Sequence, residues 1–494
     1  MQRQASNNIR AQLALRNLKT TEWTHCPVHK TSHAAAGGAK QICIIGAGPT
    51  GLAALRVITD TPQYKEGLWE VTAFEARDKI GGIWVPAPPT GDPPWTSLYD
   101  SLTTNVPHPA MAARSFPFPP STPLFPPAAT VEAYLDAFAE TFGLLPHIRL
   151  NAPVLSATWD DADSKWVVCV PDDETHRFDL VLVANGHYRV PRFPDTAGLD
   201  AWRAKQKATH SACGDDIFAG MRPFTRTIIR SVVNATAEDH QDGTLKVRGR
   251  VKEYLDADEG RVLFEDGIVE TGIDYVFLAT GYQYSFPFFP QSVMRTSAPP
   301  STTPLPEGLF NSTHHVFPLA RHMFPLTSPF PPSSLAFIGL PLRAAPFALA
   351  EAQTRVALKA FADPTSLDVP REAAAIVARY EALRAAAGGN AGAIAERWHH
   401  FDGCGQLDYR DELNAFLGGE FAESEWKVPE WEKEVQVWKM EMKGEWKELE
   451  RAGEAEEWVR GVGAGSDAEQ EWVDVMVKLL RRTKNRKIEH GGCE

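Results

Sequence analysis

The sequence predicts an α/β fold, Rossmann-like and built around a dinucleotide-binding turn, with a helical C-terminal extension. Two observations predict this fold. The short apolar run ICII at residues 42–45 precedes glycines at GxGxxG spacing, and LAALRVI then continues at helical period. A second apolar strand, WEVTAFEA, follows at residues 69–76. A strand, a glycine-rich turn, a helix and a strand in this order are typical of a dinucleotide-binding βαβ unit.

The composition is that of an ordinary soluble globular protein. Of 494 residues, 43% are hydrophobic and 23% are charged, enough for two or three domains. The net charge of −13 gives no reason to expect nucleic acid or an anionic membrane as a partner. The six scattered cysteines suit a reducing compartment, which favours a cytoplasmic location, and their spacing predicts no metal site. No apolar run reaches the ~18 residues that span a bilayer, so no transmembrane anchor is expected.

Residues 1–38 look separate from the folded part, because they carry five basic side chains against one acid and end in small residues. Two interpretations stay open for this segment. It is either a mitochondrial-type leader or, as the alternative, a disordered extension or the product of a misplaced start codon.

Each glycine of the first turn has a physical role. Gly46 permits the tight turn, Gly48 lets the backbone approach a pyrophosphate, and Gly51 lets the helix and strand pack closely. The phosphates would then lie at the positive N-terminus of the helix. Glu75 lies 24 residues after Gly51, at the end of the second strand, where a carboxylate accepts hydrogen bonds from an adenosine ribose.

Three later stretches are also predicted to contain apolar strands that end in small residues. They are LVLVANGHY at 180–188, YVFLATGYQYSFPF at 275–288, and SLAFIGLPLRAAPFALAEAQTRVAL at 334–358. In α/β folds, ligands bind at such carboxyl ends of strands.

Together these stretches resemble the flavin-containing monooxygenases, and most closely the soluble fungal branch that includes thiol-oxidising enzymes. The resemblance covers about residues 41–420. The motifs that carry it are GAGPTGL, FEARDKIGGIW, TTNVPHPAM, NGHYRVPRFP, LATGY and FIGLPLRAAPFALAEAQ. GxGxxG and ATGY are shared by many flavoproteins, whereas the ordered set with GGIW and TTN is far more specific.

The resemblance implies FAD and NADPH as cofactors. It places the FAD pyrophosphate on the first turn, the flavin against GGIW, and the adenine at the backbone of Val154. It also places Thr280 and Gly281 at one side of the cofactor cleft. The cofactor-binding residues that it implies are Gly46, Ala47, Gly48, Pro49, Thr50, Gly51, Glu75, Gly82, Ile83, Trp84, Thr104, Asn105, Val154, Thr280 and Gly281.

The chemistry implied by the resemblance needs few polar protein groups. NADPH reduces FAD, O2 adds to form a C4a-hydroperoxyflavin, and a soft sulfur or nitrogen nucleophile attacks its distal oxygen. The substrates are therefore O2 and a small thiol, sulfide or amine. The protein must orient the flavin, exclude water and donate hydrogen bonds. Asn105 is the candidate catalytic donor, because its neutral amide transfers no proton; taken alone, it would be an ordinary turn residue. His108, His187 and His210 are better explained as loop histidines than as bases.

The stretch FAGMRPFTRTIIRSVVN, at 218–234, departs from the family pattern. In the family, a second GxGxxG loop follows a short FxG element and holds the NADPH pyrophosphate. Here no GxGxxG occurs between 221 and 279, and the 58 residues between Gly220 and Ala279 are too few for a full nucleotide-binding domain. The NADPH-binding domain is therefore predicted to be truncated, either by an error in the gene model or by natural degeneration.

Two classes of function stay open. The first is an FAD- and NADPH-dependent monooxygenase, and the second is an FAD-binding degenerate homologue with little or no NADPH-driven turnover. A Baeyer–Villiger-type relative is disfavoured, because Ala204 and Gln206 replace the Phe and Gly of the FxGxxxH fingerprint before His210. A homodimer stays open.

The predicted organisation has five segments. They are an extension at 1–38, the FAD domain at 39–190 and 273–419, a truncated NADPH domain at 191–272, and a charged, Trp-rich helical extension at 420–494. In the last segment, Glu/Lys pairs at i, i+4 support a helix, and tryptophans near seven- or eight-residue spacing form one apolar stripe. This stripe is expected to pack on the body of the protein; an aromatic contact with the cofactor is the alternative.

Overall fold

The computed structural model of the chain describes residues 38–88, 90–91, 93–114, 116–211, 214–300, 304–342, 344–423 and 426–491. The predicted N-terminal extension at 1–38 therefore lies almost wholly outside the described residues.

Helices and strands are mixed in the first part of the described chain, strands predominate between Ile228 and Phe337, and helices form the part from Pro346 onward. The helices are α1 (Pro49–Asp60), α2 (Pro62–Lys65), α3 (His108–Met111), α4 (Ala128–Thr141), α5 (Leu199–Ala204), α6 (Gly214–Met221), α7 (Pro346–Ala362), α8 (Val369–Ala386), α9 (Ala391–Arg397), α10 (Gly405–Leu417), α11 (Glu430–Ala452), α12 (Ala455–Val459) and α13 (Ala468–Gly491). The strands are β1 (Lys40–Ile45), β2 (Trp69–Phe74), β3 (Ile148–Arg149), β4 (Ser156–Asp160), β5 (Lys165–Cys169), β6 (Thr175–Phe178), β7 (Leu180–Val183), β8 (Val190–Pro191), β9 (Ala208–His210), β10 (Ile228–Ser231), β11 (Glu238–Asp239), β12 (Leu245–Arg248), β13 (Val251–Tyr254), β14 (Val262–Phe264), β15 (Val269–Glu270), β16 (Val276–Leu278), β17 (Tyr282–Gln283), β18 (Met294–Arg295), β19 (Leu309–Asn311), β20 (Val316–Phe317), β21 (Leu319–Ala320), β22 (Phe324–Pro325) and β23 (Leu335–Phe337).

A five-stranded parallel sheet forms the centre of the first of two compact units. This unit comprises the described residues up to Pro86, Tyr99–Gly186, and the chain from Tyr284 onward. The strand order is β23-β7-β1-β2-β3, and every neighbouring pair is parallel. Residues 42–45 of β1 and the whole of β7 are continuous apolar runs, because both faces of a parallel sheet are covered.

Alternate residues of β1 enter two different cores. Ile42 and Ile44 pack with α1 and α7 on one face of the sheet. Cys43 and Ile45 pack on the other face, with Trp166 of the antiparallel sheet β4-β5-β6. The sheet is therefore held from both sides, and this fixes the carboxyl ends of its strands, where the glycine-rich turn follows β1.

The C-terminal extension is helical, as predicted. Helices α11 and α13 pack against each other, and Trp446 and Trp472 are at most 2% exposed. Their apolar cluster also contains Leu124 and Phe125 from the body of the first unit. Tryptophans of the extension thus pack on the body, as expected, but they lie on the separate helices α11, α12 and α13 and do not form one stripe.

The second unit comprises Ala87–Leu98 and His187–Gln283. Its parallel pairings are short: β10 pairs with β12 over four residues, and β9 pairs with β16 over three. The remaining ladders, β11-β12, β13-β14-β15 and β8-β17, are antiparallel. The longest helix among the described residues of this unit is α6, with eight residues.

The predicted α/β fold with a helical C-terminal extension is confirmed, whereas the truncation of the NADPH-binding domain stays a prediction. None of the described helices combines the length and the apolar character needed to cross a membrane.

Candidate cofactor-binding site

Two glycines of the turn after β1 are required by the fold itself. Gly46 has a φ of +103°, which side chains rarely adopt, and a Cβ there would lie 2.6 Å from the carbonyl oxygen of Ala184. A Cβ on Gly51 would lie 1.9 Å from the carbonyl oxygen of Gly46. Any side chain at either position would therefore displace the turn from β7 or from α1.

Gly48 lies in the same turn but meets no such obstacle. Its φ of −74° is open to any residue, and the nearest atom to an added Cβ would be the Cα of Gly82, at 3.4 Å. Gly82 faces it from the GGIW loop, with a φ of +58°. The two glycines form a cradle that side chains would fill, and a pyrophosphate requires such a close approach to the backbone.

The cradle lies at the N-terminus of α1, which is 12 residues long and begins with Pro49. No side chain in the part of the chain that the structure describes caps this end of the helix, and its first turn has no acidic residue. The free N–H groups and the positive end of the helix dipole therefore favour an anion in front of Gly48.

Glu75 ties the turn to the end of β2. The residue is 7% exposed, and its carboxylate accepts hydrogen bonds from the backbone N–H groups of Ala47 (2.8 Å) and Arg77 (3.0 Å). A carboxylate has further lone pairs that ribose hydroxyls could donate to. Glu75 thus has a structural role that the sequence did not predict, and the predicted ribose contact is compatible with it.

Arg77 holds the GGIW loop beside the turn, and sequence reasoning missed it. Its guanidinium donates to the carbonyl oxygens of Gly82 (3.1 Å) and Val85 (3.0 Å). The N–H of Gly81 donates to the carbonyl oxygen of Ala47 at 3.0 Å. The structure therefore brings together three predicted parts of the site: the turn, Glu75, and the loop Gly82–Trp84.

A second group of residues missed by sequence reasoning lies after β23. A Cβ on Gly339 would lie 3.0 Å from the side chain of Thr50. The N–H of Gly339 donates to Oε1 of Gln353 at 2.8 Å, and Nε2 of Gln353 donates to the hydroxyl of Tyr409 at 3.1 Å. Gly339 and Gln353 both lie in the stretch FIGLPLRAAPFALAEAQ, which carries part of the family resemblance and was the sequence signal for this group.

Thr104 and Asn105 follow a short extended segment of the first unit. Thr104 is 4% exposed, and its N–H donates to the carbonyl oxygen of Pro126 at 3.0 Å. Its hydroxyl is buried and has no hydrogen-bond partner among the described residues, which is uncommon in proteins. Asn105 is exposed. The orphaned hydroxyl fits a segment that contacts a bound group.

Val154 follows a segment that runs beside the end of β2. The N–H of Ala152 donates to the carbonyl oxygen of Glu75 at 2.9 Å. Val154 is half-buried and packs against the apolar cluster that contains Cys43, Ile45 and Trp166. The backbone of this segment is thus next to the predicted ribose position, and its contact with adenine stays a prediction.

Thr280 and Gly281 belong to the second unit. The hydroxyl of Thr280 donates to the carbonyl oxygen of Arg192, and the N–H of Arg192 donates to the carbonyl oxygen of Gly281 at 2.9 Å. These bonds fix the loop between β16 and β17. The predicted role of both residues in closing the cofactor cleft stays a prediction.

The histidines support their interpretation as structural residues. His108 is fully buried, and burial lowers its pKa to about 3, so it is neutral and a weak base near pH 7. Burial also lowers the pKa of His210, whose Nε2 donates to the carbonyl oxygen of Gly281 at 2.7 Å. Among the described residues, no group of three or more potential ligands could hold a metal ion.

The parallel sheet, the glycine cradle and the strand-end carboxylate define a dinucleotide-binding α/β protein. The chain belongs to the flavin-binding monooxygenase-like family, whose model matches residues 39–224 and 219–388. It is therefore an enzyme of the flavin-dependent monooxygenase class, which implies O2 and a small molecule as substrates. The predicted resemblance is confirmed.

Two relatives illustrate the similarity. The chain is 30% identical to the flavin-containing monooxygenase FMO GS-OX5 of Arabidopsis thaliana, over 79% of this chain and 87% of that protein. It is 29% identical to the thiol-specific monooxygenase of Saccharomyces cerevisiae, over 65% of this chain and 77% of that protein.

The fold is similar to that of solved flavin enzymes. The structure of S-allyl-L-cysteine S-oxygenase from Allium sativum matches with a TM-score of 0.65 and 24% identity, over 91% of this chain and 99% of that chain. Tmm from Pelagibacter sp. strain HTCC7211 matches with a TM-score of 0.60 and 18% identity, over 82% of this chain and 91% of that chain. At these identities the matches concern the fold alone.

Proposed function

We propose that the chain is an FAD-dependent monooxygenase that oxygenates soft nucleophiles, with small thiols and sulfides ahead of amines. The observation that carries the proposal is the cradle between Gly48 and Gly82, at the N-terminus of α1 and beside Glu75. It provides the space and the positive potential that the FAD pyrophosphate needs. The similarity to a thiol-specific monooxygenase supports sulfur as the acceptor atom.

Bound FAD would supply the redox chemistry, with NADPH as the reductant and O2 as the oxygen donor. The protein's residues would bind and orient it. The turn Gly46–Gly51 would hold the pyrophosphate, Glu75 the ribose and the segment at Val154 the adenine. The loop Gly82–Trp84 would line the flavin.

Thr104 and Asn105 would lie at the reactive edge of the flavin. The buried Thr104 hydroxyl would gain the partner that it lacks. The neutral amide of Asn105 would donate a hydrogen bond to the reacting oxygen without transferring a proton. The adjacent His108 is neutral and buried, and it contributes no proton near pH 7.

A second function is supported by the second unit: an FAD-binding homologue with little NADPH-driven turnover. Its described part has no strand followed by GxGxxG and a helix, and its longest described helix has eight residues. The two segments matched by the family model also meet at 219–224, where the sequence departs from the family pattern. The truncation would remove the NADPH loop and leave the FAD site unchanged.

The location and the assembly are also proposals. Cys43, Cys169 and Cys404 are free thiols in the described part of the chain, which supports a reducing compartment such as the cytoplasm. The homodimer that the sequence leaves open stays a prediction.

The proposed chemistry is tested without NADPH. The FAD-loaded protein is photoreduced under anaerobic conditions and then mixed with O2 and a small thiol or sulfide. We expect oxygenated sulfur product in an amount close to the reduced flavin supplied. Hydrogen peroxide as the sole product, with every sulfur and amine substrate tried, would contradict the proposed oxygenation.

A further inference from the structure

We propose that the C-terminal helices α11 and α13 position the segment 104–108, which carries Thr104 and Asn105, and that Trp472 is the main positioning residue. This inference rests on the proposed function, because it concerns the segment assigned to the flavin's reactive edge. The family model matches no residue beyond 388, so the extension lies outside the part of the chain that it describes.

The first step is the backbone of the segment. The N–H of Thr104 donates to the carbonyl oxygen of Pro126 at 3.0 Å, and the N–H of His108 donates to that of Leu124 at 2.8 Å. Residues 124–126 are therefore the support on which Thr104 and Asn105 are held. A shift of this support would move the segment with it.

The second step is the packing of that support. Leu124 and Phe125 are at most 3% exposed, and they lie in one apolar cluster with Trp446, Trp472 and Met476 of the extension. A side chain buried in a close-packed cluster moves only when its neighbours move. The support is thus held by α11 and α13.

The third step is a direct contact with the segment itself. The ring of Trp472 meets the ring of His108 edge to face, with centroids 4.3 Å apart and an interplanar angle of 84°. Both rings are at most 2% exposed. His108 lies three residues after Asn105, so Trp472 contacts the segment and also belongs to the cluster that holds its support.

A fourth contact joins the loop before the support to the extension. The N–H of Ser121 donates to the carbonyl oxygen of Val462 at 3.0 Å, and the N–H of Gly461 donates to the hydroxyl of Ser121 at 3.0 Å. Next to the segment, a small cavity has Val106 on one wall and Val435 of α11 on another. The extension therefore borders the segment over several residues.

The direct test is hydrogen exchange in the FAD-free protein, which needs no catalysis. In Trp472→Ala, we expect the amides of Thr104 and His108 to exchange about tenfold faster or more, because their acceptors lose support. Trp472→Phe should restore slow exchange, because the indole N–H of Trp472 has no hydrogen-bond partner among the described residues. Trp438→Ala is the matched control: Trp438 is half-buried on α11 and contacts Lys487.

The second readout is coupling in the FAD-loaded protein after photoreduction. We expect Trp472→Ala to keep its FAD and to lower the ratio of oxygenated product to hydrogen peroxide about tenfold. If the wild-type protein forms no product, the proposed function fails, while the exchange data still decide the inference.

Equal exchange rates in Trp472→Ala and the wild type would overturn the positioning role. So would equal acceleration in Trp472→Ala and Trp438→Ala, because general loosening of the extension would then explain both. If Trp472→Ala does not fold, Trp472→Leu replaces it. That variant keeps an apolar side chain but loses the ring contact with His108, and slow exchange in it would also overturn the inference.

Discussion

Gly48 and Gly51 belong to one motif, but the structure gives them different reasons to be glycine. A Cβ on Gly51 would overlap the carbonyl oxygen of Gly46, whereas a Cβ on Gly48 would make an ordinary contact with Gly82. The motif alone does not reveal this difference. The structure distinguishes Gly51, which the fold needs, from Gly48, which leaves space for a ligand.

This difference predicts opposite phenotypes for two substitutions. Gly48→Val should change the free energy of unfolding of the apoprotein by only about 0.5 kcal/mol but weaken FAD binding about 100-fold or more. Gly51→Val should destabilise the apoprotein by about 3 kcal/mol, because the added atoms meet backbone. Urea unfolding of the apoproteins and flavin fluorescence titration measure both quantities. Stoichiometric FAD in purified Gly48→Val would refute the assignment of the site.

Asn105 is a residue whose role can be tested with little risk to the fold. It is exposed, so Asn105→Leu should change stability by less than about 0.5 kcal/mol. If its amide donates to the reacting oxygen, the variant should keep FAD and lower the yield of oxygenated product per O2 about tenfold or more. Oxygen consumption and product are measured together after photoreduction. Asn105→Gln keeps an amide, so its yield of oxygenated product per O2 should lie between those of the wild type and Asn105→Leu. An unchanged yield in Asn105→Leu would remove Asn105 from the mechanism.

At the scale of elements, the helix α3 is held by a buried neutral histidine. His108 has an ordinary pKa of 6.5, and burial lowers it to about 3 in the folded protein. Below pH 6.5 the unfolded chain binds a proton that the folded chain does not. The contribution of neutral His108 to the free energy of unfolding is therefore complete above pH 6.5. It decreases as the pH falls below 6.5, and the decrease continues until about pH 3.

The expected size of this effect is measurable. Between pH 7 and pH 5, His108 should lower the free energy of unfolding by roughly 2 kcal/mol. In His108→Phe, which keeps an aromatic ring against Trp472 and Phe118, that part of the pH dependence should disappear. Urea unfolding at the two pH values provides the comparison. An identical pH dependence in both proteins would mean that His108 is not buried as a neutral ring.

The elements that could be predicted from the sequence are those defined by neighbours in the chain. The run ICII, the glycine spacing and Glu75 all lie within one βαβ unit, so periodicity and turn chemistry were sufficient. Gly339 approaches Thr50 only because β23 joins the sheet beside β7, which is a long-range pairing. The contact between Trp472 and His108 likewise joins residues more than 300 positions apart. Such contacts depend on tertiary packing, and no local pattern encodes them.

At the scale of the whole molecule, the two units differ in completeness. The first has a five-stranded parallel sheet with the turn, the carboxylate and the cradle at the ends of its strands. The second has parallel pairings of three and four residues, and its described part contains no glycine-rich turn between a strand and a helix. The first unit therefore has the features that one dinucleotide needs, whereas the truncation of the NADPH-binding domain in the second unit stays a prediction.

Cationic side chains of the second unit would not replace a glycine-rich turn. Arg226 is exposed, and the guanidinium of Arg230 lies 4.7 Å from the ring centroid of Phe218. An exposed arginine attracts a phosphate, but salt screens that attraction, and it gives little orientation. Hydride transfer needs the nicotinamide held against the flavin within a fraction of an ångström, and a misplacement of about 1 Å costs about 100-fold in rate.

We therefore expect the 494-residue chain to bind FAD and to be reduced by NADPH about 100-fold more slowly, or worse, than a variant with a strand-GxGxxG-helix segment inserted after Gly220. Stopped-flow mixing with NADPH, followed by the loss of flavin absorbance, measures this rate. Dithionite should reduce both proteins equally fast, which controls for access to the flavin. Fast, saturable bleaching of the 494-residue chain by NADPH would show that its second unit binds the nucleotide without that turn, and the truncation would then have no functional consequence.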